Sequence, residues 1–315
     1  MHEIIKTNKI IPFMRFRIGA WVISGLLVLA SIVSLSVNQL NWGLDFTGGT
    51  VIEVGYEKAA DLSQVRRTLD ENGFGDAVVQ NFGTQQDVLI RIEPREGLKA
   101  QDLGNQILKL LESDSDGAVE MRRIEFVGPQ VGDQLTEQGG LAMLTALICI
   151  LIYIALRFEW RLAIGAVGAL AHDVIITLGL FSVLGLEFDL TVLAALLAVI
   201  GYSINDTVVV CDRVRENFRK YHKSTAQETI DGALIDTMSR TVITSLTTIL
   251  VLLALFFLGG QLIHGFATAL LFGVIIGTYS SIYIASSLAF ALGVSREDLM
   301  PPEVEKEGED LDPLP

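Results

Sequence analysis

Charged residues are scarce in this chain of 315 residues, and they are unevenly placed along it. Only 19% of the residues are charged, whereas a soluble domain normally carries about 25%. Half of the residues are hydrophobic. The charges concentrate in residues 38–137 and after Arg296, with long apolar stretches between. This alternation indicates membrane-spanning segments separated by segments in water.

Basic residues and cysteines are also few. The chain has 23 Lys and Arg against 37 Asp and Glu, a formal net charge of −14, which excludes the basic face that a nucleic-acid-binding protein needs. The two cysteines, Cys149 and Cys211, fall in or at the end of apolar runs, and we interpret both as packing residues. Residues 38–137 therefore fold without a disulfide, and two isolated thiols predict no metal site and no cofactor.

Six apolar runs are long enough to cross a bilayer, which takes about 20 residues. They are residues 18–37, 139–156, 162–184, 190–211, 241–258 and 265–294. The apolar core of the first run is too long for a cleavable signal peptide, so we expect a retained membrane anchor.

The placement of Lys and Arg predicts how the chain is oriented in the membrane. Basic residues cluster before the first run, between the second and third, and between the fourth and fifth. The intervening connections 186–189 and 259–264 contain neither Lys nor Arg. We therefore expect cytoplasmic termini (1–17, and an acidic tail at 295–315), an outward-facing domain at 38–137, and a cytoplasmic loop at 212–240 within a five-helix bundle at 138–294.

Residues 38–137 show the order βαββαβ. The predicted elements are a strand at Gly49–Tyr56, a helix at Leu62–Glu71, strands at 77–82 and 88–92, a helix at 100–111 and a strand at Val119–Val127. This order predicts a small α+β, ferredoxin-like domain with two helices on one face of an antiparallel sheet. The segment has no Cys, no His and no catalytic pair of carboxylates, which favours a docking module over an enzyme.

A tight turn is predicted where the first span leads into this domain. The segment contains Asp45, Phe46 and the adjacent pair Gly48 and Gly49. Two neighbouring glycines allow a sharp bend or a close approach of the backbone to another element.

Ionisable residues inside the apolar runs are functional candidates, because a charge at the bilayer centre costs about 2.5–3.5 kcal/mol. Asp173 follows His172 in the third run, Asp206 follows Asn205 in the fourth, and Arg240 begins the fifth. A carboxylate among hydroxyls and a guanidinium can change its charge when a proton arrives, so we predict a proton relay. Asp206 and Arg240 are its leading candidates, and Asp173, His172 and Asn205 are weaker ones.

Structural interpretations of the same residues stay open. Asp206 is also placed to pair with Arg240 or Arg213 and so to hold helices together. Arg240 is also placed to extend to the cytoplasmic edge of the membrane. Asp173 can be satisfied by His172 or by hydroxyl groups, and the Ser and Thr of the fifth run are typical of contacts between helices.

Three further patterns are weaker. The pair Gly273 and Gly277 matches a motif for close helix approach. No proline lies within any run, which disfavours the broken helices of small-solute transporters. Thr225 and Glu228 have the spacing of a capping box, which predicts a short helix through about Met238.

Several of these segments resemble sequence blocks of the SecD/SecF family of protein-export membrane proteins, within the resistance-nodulation-division superfamily. The blocks are residues 41–50, 123–129, 158–161, 171–174, 201–206 and 239–241. The resemblance covers essentially the whole chain except the acidic tail after Met300.

The resemblance implies a subunit that pairs with a homologous six-span SecD chain. It implies association with the SecYEG translocon, often with YajC, and use of the proton motive force to move preproteins outward after the ATP-driven stage. The family's essential carboxylate falls on Asp206 and its essential arginine on Arg240, with the partner carboxylate in SecD. Two alternatives are a small-solute efflux permease of the same superfamily and a scaffold that stabilises the translocon without supplying energy.

Overall fold

The computed structural model describes residues 11–94, 100–115, 118–221 and 223–300. In chain order the elements are α1 (Arg17–Val37), β1 (Asn41–Trp42), α2 (Leu44–Thr47), β2 (Gly49–Tyr56), α3 (Leu62–Glu71), β3 (Val78–Phe82), β4 (Thr84–Ile92), α4 (Ala100–Asp114), β5 (Val119–Val127), α5 (Pro129–Arg157), α6 (Trp160–Leu184), β6 (Glu187–Phe188), α7 (Leu190–Lys220), α8 (Ala226–Leu258), α9 (Gln261–Ser280), α10 (Ser286–Ala291) and α11 (Arg296–Leu299). A 3₁₀ helix, Phe13–Phe16, precedes α1, and a π-helical segment, Ser281–Ala285, joins α9 to α10.

Six helical segments of the described residues are long and apolar enough to span a membrane. Five are built on α1, α5, α6, α7 and α8, and the sixth runs from α9 through the π-helical segment into α10. The chain is therefore a multi-pass membrane protein, and the predicted number of spans is confirmed.

Strands β2 to β5 and helices α3 and α4 form a small α+β domain, here called the sheet domain. All neighbouring strands are antiparallel, in the order β3–β4–β2–β5. Apolar side chains from one face of this sheet pack against both helices in a single core, which includes Ile52, Ile90, Leu69 and Ile107. The ferredoxin-like arrangement predicted from the βαββαβ order is thus confirmed.

Local sequence features explain why the sheet domain has these elements. In β4, Val88, Ile90 and Ile92 alternate with other residues and are fully buried, as expected for a strand with one face on a core. Asp61 caps α3 because its carboxylate accepts hydrogen bonds from the N–H groups of Ser63 (2.8 Å) and Gln64 (3.3 Å).

Helix α7 is the central element of the membrane bundle and contacts α6, α8 and α9. Small residues allow close approach at several of these contacts. A side chain at Gly273 of α9 would overlap Val199 of α7, and one at Gly179 of α6 would overlap Ser31 of α1. Close packing of small residues is the usual basis of helix association in membranes, so the predicted glycine motif lies at the α7–α9 contact.

The region predicted as a cytoplasmic loop, residues 212–240, is mostly helical. Helix α7 continues to Lys220, and α8 begins at Ala226 and runs without interruption into the fifth span. The predicted capping box is confirmed: Thr225 accepts from the N–H of Glu228 (3.3 Å), whose carboxylate accepts from the N–H of Thr225 (2.9 Å). The helix predicted within this connection is thus part of α8, and α7 is longer than its apolar run, because polar residues end an apolar run without ending a helix.

Other boundaries also differ from the prediction. Helix α5 begins at Pro129, inside the interval assigned to the outer domain, and β4 begins at Thr84 because Gly83, with φ of +77°, forms the turn after β3. The predicted tail after Met300 lies outside the described residues, as does the N-terminal segment 1–10.

Candidate functional site

Asp206 lies in α7, and its carboxyl group is buried within the bundle, with only 3% of the residue exposed. One oxygen, Oδ1, accepts a hydrogen bond from the hydroxyl of Thr241 in α8 at 3.3 Å. The other oxygen, Oδ2, is buried and has no hydrogen-bond partner among the described residues. A buried carboxylate is costly in free energy unless hydrogen bonds or a cation compensate it. Asp206 has one long hydrogen bond where a stable anion needs several.

Arg240, the predicted partner of Asp206, is exposed and forms no ion pair with it in the part of the chain that the structure describes. Successive residues of an α-helix point about 100° apart. Thr241 bonds to Asp206, while the preceding Arg240 is exposed and acts on that carboxyl group only as a nearby positive charge. The predicted pairing is therefore seen as an electrostatic attraction across the α7–α8 contact, without a direct ion pair among the described residues.

Arg213, the alternative partner, is also engaged elsewhere. Its guanidinium lies 2.8 Å from Glu216 and 3.7 Å from Asp236. Neither predicted cation forms an ion pair with Asp206 within the described chain.

The hydroxyl groups near Asp206 on α7, α8 and α9 form two kinds of hydrogen bond. Tyr202 donates to Ser245 at 3.2 Å, and Ser245 lies 2.7 Å from the hydroxyl of Thr278, so these groups join α7, α8 and α9. The hydroxyls of Thr244, Thr247 and Thr248 bond to carbonyl groups of their own helix. Asn205, a weaker candidate, is exposed and lies on the surface of α7 rather than beside the buried carboxylate.

Asp173 of α6 is completely buried and is held by three side chains. Its Oδ2 accepts hydrogen bonds from the hydroxyls of Ser203 (2.5 Å) and Ser280 (2.7 Å). Its Oδ1 lies 2.9 Å from Nδ1 of His172. The interpretation that His172 and hydroxyl groups satisfy this carboxyl is confirmed.

The glycine pair of the signature turn brings the sheet domain close to the membrane bundle. Gly48 and Gly49 have φ of +65° and +119°, which favour glycine. A Cβ at Gly49 would lie 2.5 Å from the carbonyl oxygen of Ile92, and one at Gly132 of α5 would lie 3.0 Å from the backbone nitrogen of Gly48. The predicted tight turn is thus also a site of close backbone approach on two sides.

The side chains of the same turn contact the first turn of α7. Asp45 Oδ2 accepts a hydrogen bond from the N–H of Leu190, the first residue of α7, at 3.0 Å. The ring of Phe46 stacks on Phe188 with centroids 6.1 Å apart and meets Trp42 edge-on at 5.5 Å. A carboxylate is favourable at a helix N-terminus, so the turn fastens the sheet domain to the helix that carries Asp206.

A second connection was not predicted from the sequence. Strand β1 pairs in parallel with β6, and Arg91 of β4 donates to the carbonyl of Trp42 at 2.6 Å and lies 3.9 Å from the carboxylate of Glu187. We call β1, β6 and Arg91 the clasp. Burial raises the pKa of Glu187, and Arg91 acts in the opposite direction. Strands of two residues have no recognisable alternation, so the acidic segment 186–189 was the only available signal.

Metal-ligating groups do not cluster in the described part of the chain, where no set of three His, Cys, Asp or Glu residues is placed to hold a metal ion. Cys211 is buried, as expected for a packing residue. Cys149 is exposed on α5, so that interpretation is wrong for it within this chain.

Two protein-family models match the chain. The model for the C-terminal part of the protein export membrane proteins SecD/SecF matches residues 107–295, and the model for the SecD/SecF GG motif matches residues 33–60. These intervals contain the buried carboxyl groups and the signature turn.

Similar proteins cover the full length of the chain. It is 59% identical to the protein translocase subunit SecF of Vibrio alginolyticus over 100% of both chains. It is 50% identical to the protein translocase subunit SecF of Escherichia coli O157:H7, over 96% of this chain and 94% of that one.

Solved structures extend the similarity to the fold. The crystal structure of SecDF, a translocon-associated membrane protein from Thermus thermophilus, matches 93% of this chain with a TM-score of 0.81 and 36% identity. A structure of SecDF in a super-membrane-facing form matches 91% with a TM-score of 0.67 and 36% identity. This chain spans 39% of the length of each SecDF chain.

Proposed function

The chain belongs to the SecD/SecF family of protein export membrane proteins, and we propose that it uses the proton motive force to help preproteins cross the membrane. Its relatives are named as subunits of a protein translocase, so this chain has a transport role in protein export. The proposal adds the source of energy, the residue that binds the proton and the partners.

The observation that carries the proposal is the incomplete solvation of Asp206. Its carboxyl group is buried in a membrane-spanning helix, has one hydrogen bond at 3.3 Å, and has no ion pair among the described residues. Ionised carboxyl groups are unstable in such a place unless a cation approaches. Binding and release of a proton at Asp206 therefore changes the stability of the surrounding helix packing.

The geometry also provides a path from this proton to the sheet domain. Asp206 lies in α7, and the first residue of α7 is bound by Asp45 of the signature turn at 3.0 Å. A displacement of α7 on protonation would move the turn and the sheet domain with it. A proton that crosses 100 mV supplies about 2.3 kcal/mol, which shifts a two-state equilibrium about 50-fold.

A SecD chain is the proposed partner within the membrane. The SecDF chains are much longer than this one, so a second chain would supply the remainder of the assembly. Helix α8, which carries the exposed Arg240, also exposes large apolar side chains further along, including Leu246, Leu250 and Val251. A guanidinium on an apolar membrane face needs a counter-charge, and we assign this role to a carboxylate of SecD.

The remaining assignments follow from charge distribution and family membership. The Lys and Arg pattern supports an inner-membrane protein with cytoplasmic termini and a periplasmic sheet domain. In this orientation the sheet domain would contact preproteins that leave the SecYEG translocon, with YajC as a further partner. Asn205 is exposed on α7, so we propose that it contributes to the proton relay only through contact with a partner chain.

The test is export of a model preprotein into inverted vesicles that contain this chain and SecD. Asp206→Asn keeps the shape of the side chain but removes its titratable group, and we expect it to lose the stimulation of export by a proton gradient. Glu216→Gln is the matched control, because Glu216 is an exposed carboxylate on the same helix. We expect this variant to keep the stimulation.

Assembly with SecD is measured in parallel by co-purification. If Asp206→Asn assembles and still responds to the proton gradient, the proposal is wrong and a scaffold role remains. If a sodium gradient at constant pH stimulates export instead, a metal cation replaces the proton as the coupling ion. An efflux permease would transport a small solute without preprotein, and membership in the protein export family disfavours it.

A further inference from the structure

A second buried carboxyl group lies next to the Asp206 site, and the proposed function does not use it. Asp173 has no exposed surface, and its only ion-pair partner among the described residues is His172. Helix α7 contacts α6 through Ser203, which donates to Asp173, and contacts α8 through Asp206 one helical turn later. The two buried carboxyl groups therefore share one helix.

The imidazole of His172 has one engaged nitrogen and one open nitrogen. Nδ1 lies 2.9 Å from Oδ1 of Asp173. Nε2 is buried and has no hydrogen-bond partner within the described residues. A buried polar atom without a partner costs free energy, and an open imidazole nitrogen is a group that accepts a proton.

The surrounding helices fix the carboxyl group firmly. A Cβ at Gly277 of α9 would lie 3.5 Å from Oδ2 of Asp173 and 3.2 Å from Cβ of Ser203. The absence of a side chain at Gly277 therefore lets α9 approach closely enough for Ser280 to donate to Asp173. The π-helical segment begins directly after Ser280, and such segments in α-helices often occur at functional sites.

Few other titratable groups lie near this pair. The ring of Tyr279 lies 6.2 Å from that of His172, and the ring of Tyr283 lies 5.4 Å from that of Tyr279. Asp206 lies one turn along α7. Helix α10 carries no titratable residue, and the titratable residue of α1 is Arg17 at its first position, where it donates to the carbonyl of Met14. No arginine or lysine in the described chain forms an ion pair with Asp173.

We propose that His172 and Asp173 form a second proton-binding site of this chain, which exchanges its proton at Nε2 of His172. The proposal rests on the proposed function for its role in export. The ligand is a proton, and Asp206 is a separate site on the other contact of α7. Ser203 and Ser280 are positioning residues because they hold Oδ2 while the proton moves at Oδ1.

The proton transfer needs no movement of heavy atoms. Before binding, the neutral imidazole donates its Nδ1 proton to the ionised carboxylate. A proton that adds to Nε2 gives an imidazolium, and the Nδ1 proton then moves to Oδ1 of Asp173. The product is a neutral carboxylic acid that donates to Nδ1 of a neutral imidazole with its proton on Nε2. The net charge of the pair rises from −1 to 0 with one proton bound.

The test is nuclear magnetic resonance of ¹⁵N-labelled histidine in the complex of this chain with SecD, reconstituted in lipid. The chain has four histidines, and the His172 signals are those that disappear in His172→Gln. We expect the imidazole proton of wild-type His172 to move from Nδ1 to Nε2 as the pH is lowered, which interchanges the two nitrogen signals. We expect Asp173→Asn to lose this exchange and Asp206→Asn to keep it.

A matched control separates the carboxyl group from the packing of α6. Thr177→Val removes a buried hydroxyl that donates to the backbone carbonyl of Asp173 at 2.7 Å and leaves the carboxyl group intact. We expect Thr177→Val to keep both the tautomer exchange and the stimulation of export by a proton gradient. We expect His172→Gln and Asp173→Asn, checked for assembly with SecD, to lose that stimulation.

Failure of this inference and failure of the proposed function give different results. A His172 spectrum that does not change with pH overturns the second site, even if Asp206→Asn abolishes the response to the gradient. Gradient-stimulated export that persists in Asp206→Asn overturns the proposed function, whatever His172 does. Normal stimulation in an assembled His172→Gln variant also overturns the second site.

Discussion

Gly49 combines a positive φ with a backbone atom where a side chain would lie, so Gly49→Ala should strongly destabilise the sheet domain. The residue has φ of +119°, a conformation that costs a residue with a side chain about 1–3 kcal/mol. In addition, the new Cβ would lie 2.5 Å from the carbonyl oxygen of Ile92, at the end of the β2–β4 ladder. Displacing packed backbone costs about 1–3 kcal/mol more, so the expected loss is about 2–6 kcal/mol.

Gly73→Ala is the matched control for the backbone conformation alone. Gly73 also has a positive φ, +84°, but no atom lies within 4 Å of the position of its Cβ. We expect a loss of about 1–2 kcal/mol for this variant, which is the conformational cost without steric overlap. The difference between the two variants therefore measures the close approach of β2 to β4.

Hydrogen exchange of the β2 and β4 amides in the full chain, in lipid, measures the free energy of local opening. Because Gly49 directly follows the turn that holds Asp45 against α7, the Gly49 variant should lose export activity while the Gly73 variant keeps it. Equal losses of stability in the two variants would refute the argument, since the overlap with Ile92 would then contribute nothing.

Two further predictions concern the contacts between the sheet domain and the bundle. Burial raises the pKa of Glu187 above its ordinary value of 4.5, so protonation favours the assembled clasp, and its stability should fall as the pH rises through the raised value. Glu187→Gln should remove this dependence in hydrogen exchange of the clasp amides, and a dependence that persists would implicate another group. Asp45→Ala should cost about 1–2 kcal/mol in thermal unfolding because the N–H of Leu190 loses its acceptor at a helix N-terminus. Asp45→Asn should cost less, and equal losses would argue against this hydrogen bond.

The spans and the sheet domain could be predicted from the sequence because both depend on local patterns. A run of about 20 apolar residues is stable as a spanning helix wherever its neighbours lie. In β4, alternating Val88, Ile90 and Ile92 specify which face is buried, and Asp61 marks the start of α3. Helix lengths were harder to predict from the sequence, because α7 continues to Lys220 through a segment of polar composition.

The signature turn shows where local information ends. The glycines predicted a tight turn or close approach, but the sequence does not say which backbone comes close. Ile92, Gly132 and Leu190 are distant from the turn along the chain, and only the assembled fold brings them to Gly49, Gly48 and Asp45.

The buried polar residues also separate what the sequence shows from what only the fold shows. The sequence alone identified Asp173, Asp206 and Arg240, because ionisable groups in apolar runs are rare and costly. It did not decide their hydrogen-bond partners: Thr241 donates to Asp206, while Ser203 and Ser280 donate to Asp173. Those partners depend on the rotation and depth of each helix against its neighbours. Packing contacts such as that of Gly273 with Val199 determine the rotation and the depth. The composition of a single helix does not predict those contacts.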